Sequence, residues 1–230
     1  MVLLILLFIV FAIMGFSVQS TLRRKFKAYT EVPIEAGLTG KEVAEKMLRD
    51  NFITDVQVVS VPGRLTDHYN PKDKTVNLSP DVFNGRSVAA AAVAAHECGH
   101  AVQHATSYTW LTMRSRMVPI VNISSQLMNI LFFMLIIGGV AYGANYMTLA
   151  YILIGAQAAI TAFALVTLPV EYDASNRALA WLESARITSP ETQEKAKDAL
   201  KWAARTYLVS ALAAITTLLY YVMLFAGGRD

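Results

Sequence analysis

The stretch Ser87-Val-Ala-Ala-Ala-Ala-Val-Ala-Ala-His-Glu-Cys-Gly-His-Ala-Val-Gln-His104 decides how this chain can fold. The eight residues before His96 are alanine and valine, which predicts a buried helix. On a helix, His96 and His100 are four residues apart and project from one face, with Glu97 on the adjacent flank. This is an HExxH pattern. Both imidazoles can bind one metal ion and the glutamate can reach a metal-bound water, as in a zinc hydrolase.

The competing interpretation is a core helix whose histidines are satisfied by hydrogen bonds. It explains the stretch less well, because every buried polar group needs a partner and this apolar helix carries two histidines and a glutamate. The chain has only four histidines, and three of them fall within nine residues. The single cysteine, Cys98, points away from the two histidines of the pattern, so we interpret it as a packing residue.

The overall composition is that of an integral membrane protein. Hydrophobic residues make up 55% of the 230 residues, and the mean hydropathy is +0.42. Residues 1–22 carry no charge and predict a retained transmembrane anchor, since the basic cluster follows the apolar run instead of preceding it as in a signal peptide. Residues 117–168 predict a transmembrane hairpin that turns at 138–146, and residues 206–230 predict a C-terminal span.

The basic residues indicate the orientation of these four predicted spans. With the N-terminus outside, 19 of the 20 lysines and arginines lie on one side of the membrane. The positive-inside rule makes that side the cytoplasm. We therefore expect a multi-pass protein of the inner or plasma membrane, with a cytoplasmic zinc-peptidase domain at 23–116 and a cytoplasmic helical segment at 169–205. The predicted fold is mainly α, with about four transmembrane helices and a small α+β domain that carries a gluzincin-like HExxH helix.

The partners follow from the same charge distribution. The net charge of +3 indicates no nucleic-acid partner, because the basic residues flank spans and do not form one aromatic-interleaved patch. The lipid bilayer and a polypeptide substrate, such as a membrane-protein segment, are the expected partners. The sequence leaves open whether the chain also binds a membrane partner protein or forms a homo-oligomer.

The segment before the motif helix has the sequence pattern of a small α+β domain. A capping box at Thr39 and Glu42 predicts a helix that continues to about Asn51. Residues 56–61 predict a strand, and residues 65–78 predict a hairpin with a turn at 70–73. The second hairpin strand, 75–78, either forms an edge that binds an extended peptide or only covers the core.

His68 lies in this hairpin, between Asp67 and Tyr69. It is a candidate catalytic residue that could stabilise an oxyanion or orient the substrate. An ordinary polar residue of a hairpin is the alternative, and both interpretations stay open.

A catalytic zinc site usually has three protein ligands and leaves one position for water. His104 lies eight residues after His96, about 12 Å along a helix, so one ion does not readily bind both, and support of a ligand or polar packing is its expected role. The metzincin pattern requires a histidine ten residues after the first, where this chain has Thr106. Glu171 is the favoured third ligand, because it follows the third span on the same membrane face, although Pro169 also fits a solvated helix start there.

Four segments together resemble a known family: Asp67-His-Tyr-Asn-Pro71, Val76-Asn-Leu-Ser79, His96-Glu-Cys-Gly-His-Ala-Val-Gln103 and Leu168-Pro-Val-Glu-Tyr-Asp-Ala-Ser175. The chain is similar over nearly its whole length to the YugP-like family of bacterial membrane-bound neutral zinc metallopeptidases. More distantly, it resembles the CAAX prenyl protease and heat-shock membrane proteases. Their glutamate ligand lies in an ExxxD segment whose aspartate holds a zinc-binding histidine, which implies Glu171 as ligand here. Because Ser175 occupies the aspartate position, either Ser175 or Asp173 would have to hold the histidine.

The expected activity is peptide hydrolysis with one Zn²⁺ ion bound by His96, His100 and Glu171. Glu97 would act as the general base on a zinc-activated water. The alternative is a non-hydrolytic membrane scaffold or an assembly subunit with a structural zinc site. Glu97 argues against a purely structural site, which needs no base.

Overall fold

The structure is a computed structural model that describes residues 2–138 and 146–226. It is mainly helical, and most of the turn predicted at 138–146 lies outside the described residues. The helices are α1 (Val2–Thr30), α2 (Gly40–Asp50), α3 (Pro80–Phe83), α4 (Val88–Ala105), α5 (Thr109–Gly138), α6 (Tyr146–Ser184) and α7 (Pro190–Ala226). The strands are β1 (Gln57–Ser60), β2 (His68–Asn70) and β3 (Thr75–Leu78).

In the described residues, three helical segments are long and apolar enough to cross a membrane, namely Ile5–Thr30, Thr148–Ser184 and Pro190–Phe225. The predicted second span forms α5, which is not among these three, so the number of four spans stays a prediction. Helix α6 runs through Pro169, and a helix start at that proline is therefore wrong. Proline removes one backbone hydrogen bond, a loss that apolar helices can accommodate when neighbouring groups satisfy the freed carbonyl.

The chain divides into two compact units. The first unit comprises residues 1–16, 113–168 and 207–230, and the second comprises 17–112 and 169–206. Within the first unit, Gln157 Nε2 and Thr161 Oγ1 each donate a hydrogen bond of 3.1 Å to the carbonyl of Ala214, linking α6 to α7. Such bonds, together with small residues at the contact, are the usual means by which apolar helices associate.

In the second unit, α2 confirms the helix predicted from the capping box. Thr39 Oγ1 accepts a hydrogen bond from the Glu42 backbone at 3.2 Å, and the Glu42 carboxylate accepts one from the Thr39 backbone at 2.7 Å. The apolar face of α2, which includes Val43 and Met47, is buried in the core shared with α4. The cap therefore sets where α2 begins, and the apolar face sets which side meets α4.

The three strands form one sheet in the order β1-β3-β2. The predicted hairpin is confirmed, because β2 pairs with β3 antiparallel, with Tyr69 opposite Val76. Strand β3 is also parallel to β1 on its other side, with Val58 opposite Val76. The expectation that residues 75–78 form an exposed edge is therefore wrong. Because β3 is hydrogen-bonded on both sides, the edges of this sheet are β1 and β2.

Helix α4 begins at the Ser87 N-cap, whose Oγ accepts a hydrogen bond from the Ala90 backbone. Its alanine and valine half is buried, as the composition predicted. Gly99 lies so close to α6 that a Cβ added there would be 2.5 Å from the carbonyl oxygen of Ala174. The absence of a side chain at Gly99 thus allows the two helix backbones to approach closely.

Candidate metal centre

Three side chains converge where α4 meets α6. The Nε2 atoms of His96 and His100 lie 3.3 Å and 3.5 Å from Oε2 of Glu171. One ligand atom from each of the three residues lies within 4.8 Å of the others, and all three side chains are largely shielded from solvent. The two histidines share a face of α4 because they are four residues apart, whereas Glu171 comes from a distant part of the chain.

The Glu171 carboxylate lies beside the buried imidazole of His100. Burial by itself lowers the pKa of the His100 imidazole, but the neighbouring Glu171 carboxylate outweighs burial and raises that pKa above its ordinary value.

Cys98, the only cysteine, is outside this group: its Sγ donates to the carbonyl of Ala44 on α2 at 3.5 Å, and burial raises the pKa of its thiol. A buried, protonated thiol facing α2 fits the packing role predicted for Cys98.

The second ring nitrogen of His96, Nδ1, has its own partner. Its Nδ1 lies 3.2 Å from Oγ of Ser175, which follows Glu171 by four residues on α6. Residues four apart share a helix face, so one face of α6 presents both the carboxylate to Nε2 and the hydroxyl to Nδ1. The family resemblance implied that either Ser175 or Asp173 holds a metal-binding histidine, and Ser175 makes such a contact directly.

Asp173 reaches the other histidine through an intermediate residue, Gln103. The Nδ1 atom of His100 lies 3.0 Å from Oε1 of Gln103, and Gln103 Nε2 donates to Asp173 Oδ2 at 2.8 Å. Asp173 is also paired with Arg177, whose Nε lies 2.6 Å from the same oxygen. Both candidates are thus linked to a histidine, Ser175 to His96 directly and Asp173 to His100 through Gln103.

Glu97 points towards the sheet. Its Oε2 accepts a hydrogen bond of 3.0 Å from the backbone N–H of Tyr69 in strand β2. The residue is 8% exposed, so this contact satisfies one oxygen of a nearly buried carboxylate. Edge strand β2 consequently lies directly beside the glutamate of the HExxH pattern.

The two remaining histidines lie outside the converging group. His104 is exposed, and its Nδ1 lies 2.8 Å from the hydroxyl of Tyr69. His68 is also exposed, and its Nδ1 donates to the carbonyl of Thr66 at 2.7 Å. His104 thus supports the strand that contacts Glu97, while the side chain of His68 bonds within its own hairpin.

Comparison with known proteins agrees with this geometry. The protein family described as "Putative neutral zinc metallopeptidase" matches residues 4–226. The chain belongs to this family. It is also 39% identical, over 227 residues, to the "Putative membrane protease YugP" of Bacillus subtilis (strain 168), a match that covers 97% of this chain and 98% of the relative. No solved structure matches the chain.

Membership of this zinc metallopeptidase family confirms the resemblance seen in the sequence and makes zinc the metal that the site suggests. The name of the relative and the three long apolar helices are both consistent with a membrane location.

Three contacts around the candidate site were not predicted from the sequence: the Gln103 amide at His100, the Tyr69 backbone N–H at Glu97, and the close approach of Gly99 to α6. For Gln103 a signal was available, since it lies three residues after His100 on the same helix face. A glycine inside an otherwise alanine-rich helix likewise indicates a close packing contact. No local pattern indicates the backbone N–H of Tyr69, because its position depends on the sheet.

Proposed function

We propose that this chain is a membrane-embedded zinc metallopeptidase that hydrolyses peptide bonds at the cytoplasmic membrane face. The observation that carries the proposal is the convergence of His96, His100 and Glu171, with Glu97 on the adjoining flank of α4. Two imidazoles and one carboxylate are the ligand set of one class of catalytic zinc sites. Structural zinc sites have four protein ligands as a rule, so three ligands beside a glutamate favour catalysis over a structural role.

The donor set fits a single Zn²⁺ ion. His96 and His100 offer Nε2 atoms on one side, and each Nδ1 is occupied by a separate hydrogen-bond partner. The Gln103 oxygen can only accept, so it holds the hydrogen of His100 on Nδ1 and leaves the Nε2 lone pair for a metal, and the Ser175 hydroxyl can accept from Nδ1 of His96 in the same way. Glu171 contributes an anionic oxygen. A bound zinc ion supplies Lewis acidity there, which lowers the pKa of a water molecule and polarises a peptide carbonyl.

Glu97 is the residue that moves the proton. One of its oxygens is held by the Tyr69 N–H, and the carboxylate sits on the flank of the helix that carries both histidines. In the proposed reaction, Glu97 accepts a proton from the attacking water and delivers it to the nitrogen of the leaving amine. Strand β2, as a sheet edge beside Glu97, offers main-chain groups to an extended polypeptide. No role in this reaction is assigned to His68, whose ring bonds within the hairpin.

The proposed location rests on the apolar helices and on the distribution of basic residues. We place the N-terminus outside and the site in the cytoplasm, with the bilayer as a partner and membrane-protein or other polypeptide segments as substrates. In this arrangement residues 1–22, 117–168 and 206–230 lie in the membrane, and residues 23–116 and 169–205 carry the site.

The test compares wild type with Glu97→Gln in the purified full chain, reconstituted in lipid nanodiscs. Cleavage of a peptide library is followed by mass spectrometry with zinc, with chelator, and after zinc is returned. We expect Glu97→Gln to retain zinc and to lose at least about 100-fold in turnover, because general acid–base catalysis contributes this much or more.

The matched control is Glu183→Gln, at an exposed glutamate on α6, which should retain full activity. Normal turnover of Glu97→Gln, or cleavage that persists in chelator, would contradict the proposal. Zinc that stays bound without any cleavage by the wild type would favour the structural-zinc alternative.

A further inference from the structure

Gln103 is the most completely buried polar side chain beside the metal centre. None of its surface is exposed to solvent. Its Oε1 faces His100 Nδ1 at 3.0 Å, and its Nε2 donates to the carbonyl of Val170 at 2.7 Å and to Asp173 Oδ2 at 2.8 Å. Every polar atom of the amide therefore has a partner, which a fully buried glutamine requires.

The two partners on α6 determine which way the amide points. Both Val170 O and Asp173 Oδ2 are acceptors, so the NH₂ group must face them. The reversed amide would place its oxygen against two other oxygens, one of them charged and held by Arg177. The carbonyl oxygen of Gln103 is thereby directed at His100, where it accepts a hydrogen from Nδ1.

This orientation has two consequences for the site. With its hydrogen on Nδ1, the His100 ring presents the lone pair of Nε2 towards Glu171, 3.5 Å away. In addition, Val170 is the residue directly before Glu171, so the amide joins the histidine on α4 to the turn of α6 that carries the carboxylate.

We propose that Gln103 is a positioning residue of the metal centre, which sets the tautomer and ring orientation of His100 and aligns α4 with the Glu171 turn of α6. The inference rests on the proposed function, since it assumes that the three side chains bind a metal. A residue that only fills and satisfies the core would affect folding but not the affinity of the folded protein for zinc.

The test uses Gln103→Met in the full chain, a substitution that keeps the side-chain length and removes the amide. Zinc affinity is measured by competition with a chelator, and metal geometry is read from the visible spectrum of the cobalt(II)-substituted protein. We expect zinc to bind about 10–100-fold more weakly, the usual effect of removing the hydrogen-bond partner of a metal-binding histidine. The cobalt bands should shift as well.

Gln157, a second buried glutamine, lies in the first unit and offers a matched control. Gln157 is 5% exposed and its Nε2 also donates to a backbone carbonyl, that of Ala214. Gln157→Met removes a comparable buried hydrogen bond, one that links α6 to α7 within the first unit, so zinc affinity and the cobalt spectrum should match wild type.

Equal zinc affinity and equal cobalt spectra for Gln103→Met and wild type would overturn the inference, as would equal weakening by both methionine variants. Should Gln103→Met not fold, Asp173→Asn replaces it, because Asp173 is only half-buried. That change weakens the anchor of the amide, and about tenfold weaker zinc binding is expected; unchanged affinity overturns the inference. Failure of wild type to bind zinc at all would instead overturn the proposed function.

Discussion

Helices α1 and α4 are both rich in apolar residues, but α1 exposes large apolar side chains on the protein surface and α4 buries its own in the core. In α1, Phe8 is 75% and Phe16 is 76% exposed on the protein surface. In α4, Ala92 and Ala94 are 0% exposed and lie in the core of the second unit. An apolar composition is therefore common to both helices, but it does not say whether the rest of the protein covers their side chains.

The two helices also differ in the polar side chains that they carry. A long apolar helix such as α1, which carries no charge until Arg23, suits a bilayer. Most of helix α4 is buried in protein, and the helix carries three histidines and a glutamate, each supplied with a hydrogen-bond partner from another element or from its own helix. Changes in α4 or its partners should therefore affect folding or zinc binding, and changes in the uncharged first half of α1 should not.

The largest expected effect comes from placing a charge in each helix. Ala92→Lys buries an ammonium without a partner, which costs several kcal/mol, about the whole stability of a domain. We expect loss of folding and of zinc binding, measured by protease resistance and metal content. Phe8→Lys should instead impair membrane insertion by about 3 kcal/mol and leave zinc content unchanged. Zinc loss in Phe8→Lys would show that the two helices are not independent.

Next in size is the removal of the carboxylate at the metal centre. Glu171→Ala deletes a proposed ligand, so zinc affinity should fall by more than about 100-fold, beyond the range for outer hydrogen-bond partners. Chelator competition measures the change. Glu183→Ala, at an exposed position on the same helix, is the control and should bind zinc normally. Unchanged affinity for Glu171→Ala would assign the third ligand to another residue.

One glycine in each helix allows a direct test of the comparison between α4 and α1. Gly99→Ala in α4 places a Cβ 2.5 Å from the Ala174 carbonyl, so the backbones must separate, and we expect a loss of about 1–3 kcal/mol in the free energy of unfolding. Gly15→Ala in α1 meets nothing within 4 Å and should be neutral or stabilising by about 0.5–1 kcal/mol, as the helix gains an alanine. Thermal unfolding in detergent would compare them; equal effects would contradict the close approach of α4 and α6.

The smallest effect is expected at Ser175. Ser175→Ala removes the oxygen that holds His96 Nδ1, and zinc affinity should fall by about tenfold, the lower end of the range for such partners. Ser184→Ala on the same helix, whose hydroxyl bonds only to the Trp181 carbonyl, is the control. An unchanged affinity would mean that the ring of His96 is oriented by packing alone.

Local sequence patterns predicted much of the second unit. The capping box placed α2, the alanine run with two histidines placed α4, and the Pro71-containing turn placed the hairpin. These elements depend on contacts between residues a few positions apart, so their signals lie within short stretches. The family resemblance rested on the same kind of local motif and was confirmed over residues 4–226.

Two local signals led to wrong expectations. Pro169 suggested a helix start, but α6 continues through it because helix packing can offset the lost hydrogen bond. Residues 75–78 were expected to form a sheet edge, but β1 pairs with them in parallel from the other side. Parallel pairing joins strands that are distant in sequence, and no turn between them announces it.

By itself, the sequence determined that His96, Glu97 and His100 occupy neighbouring faces of one helix, since the helical repeat follows from backbone geometry alone. It also predicted the three runs in the described residues that are long and apolar enough to cross a membrane, whereas the fourth span stays a prediction. Only the tertiary structure decided that Glu171 lies 3.3 Å from His96, that Ser175 and Gln103 hold the two rings, and that a backbone N–H of β2 meets Glu97. The contacts of Glu171 and Ser175 with His96 depend on how closely α4 and α6 pack at Gly99, and the contact of Tyr69 with Glu97 depends on the sheet; no local pattern contains either distance.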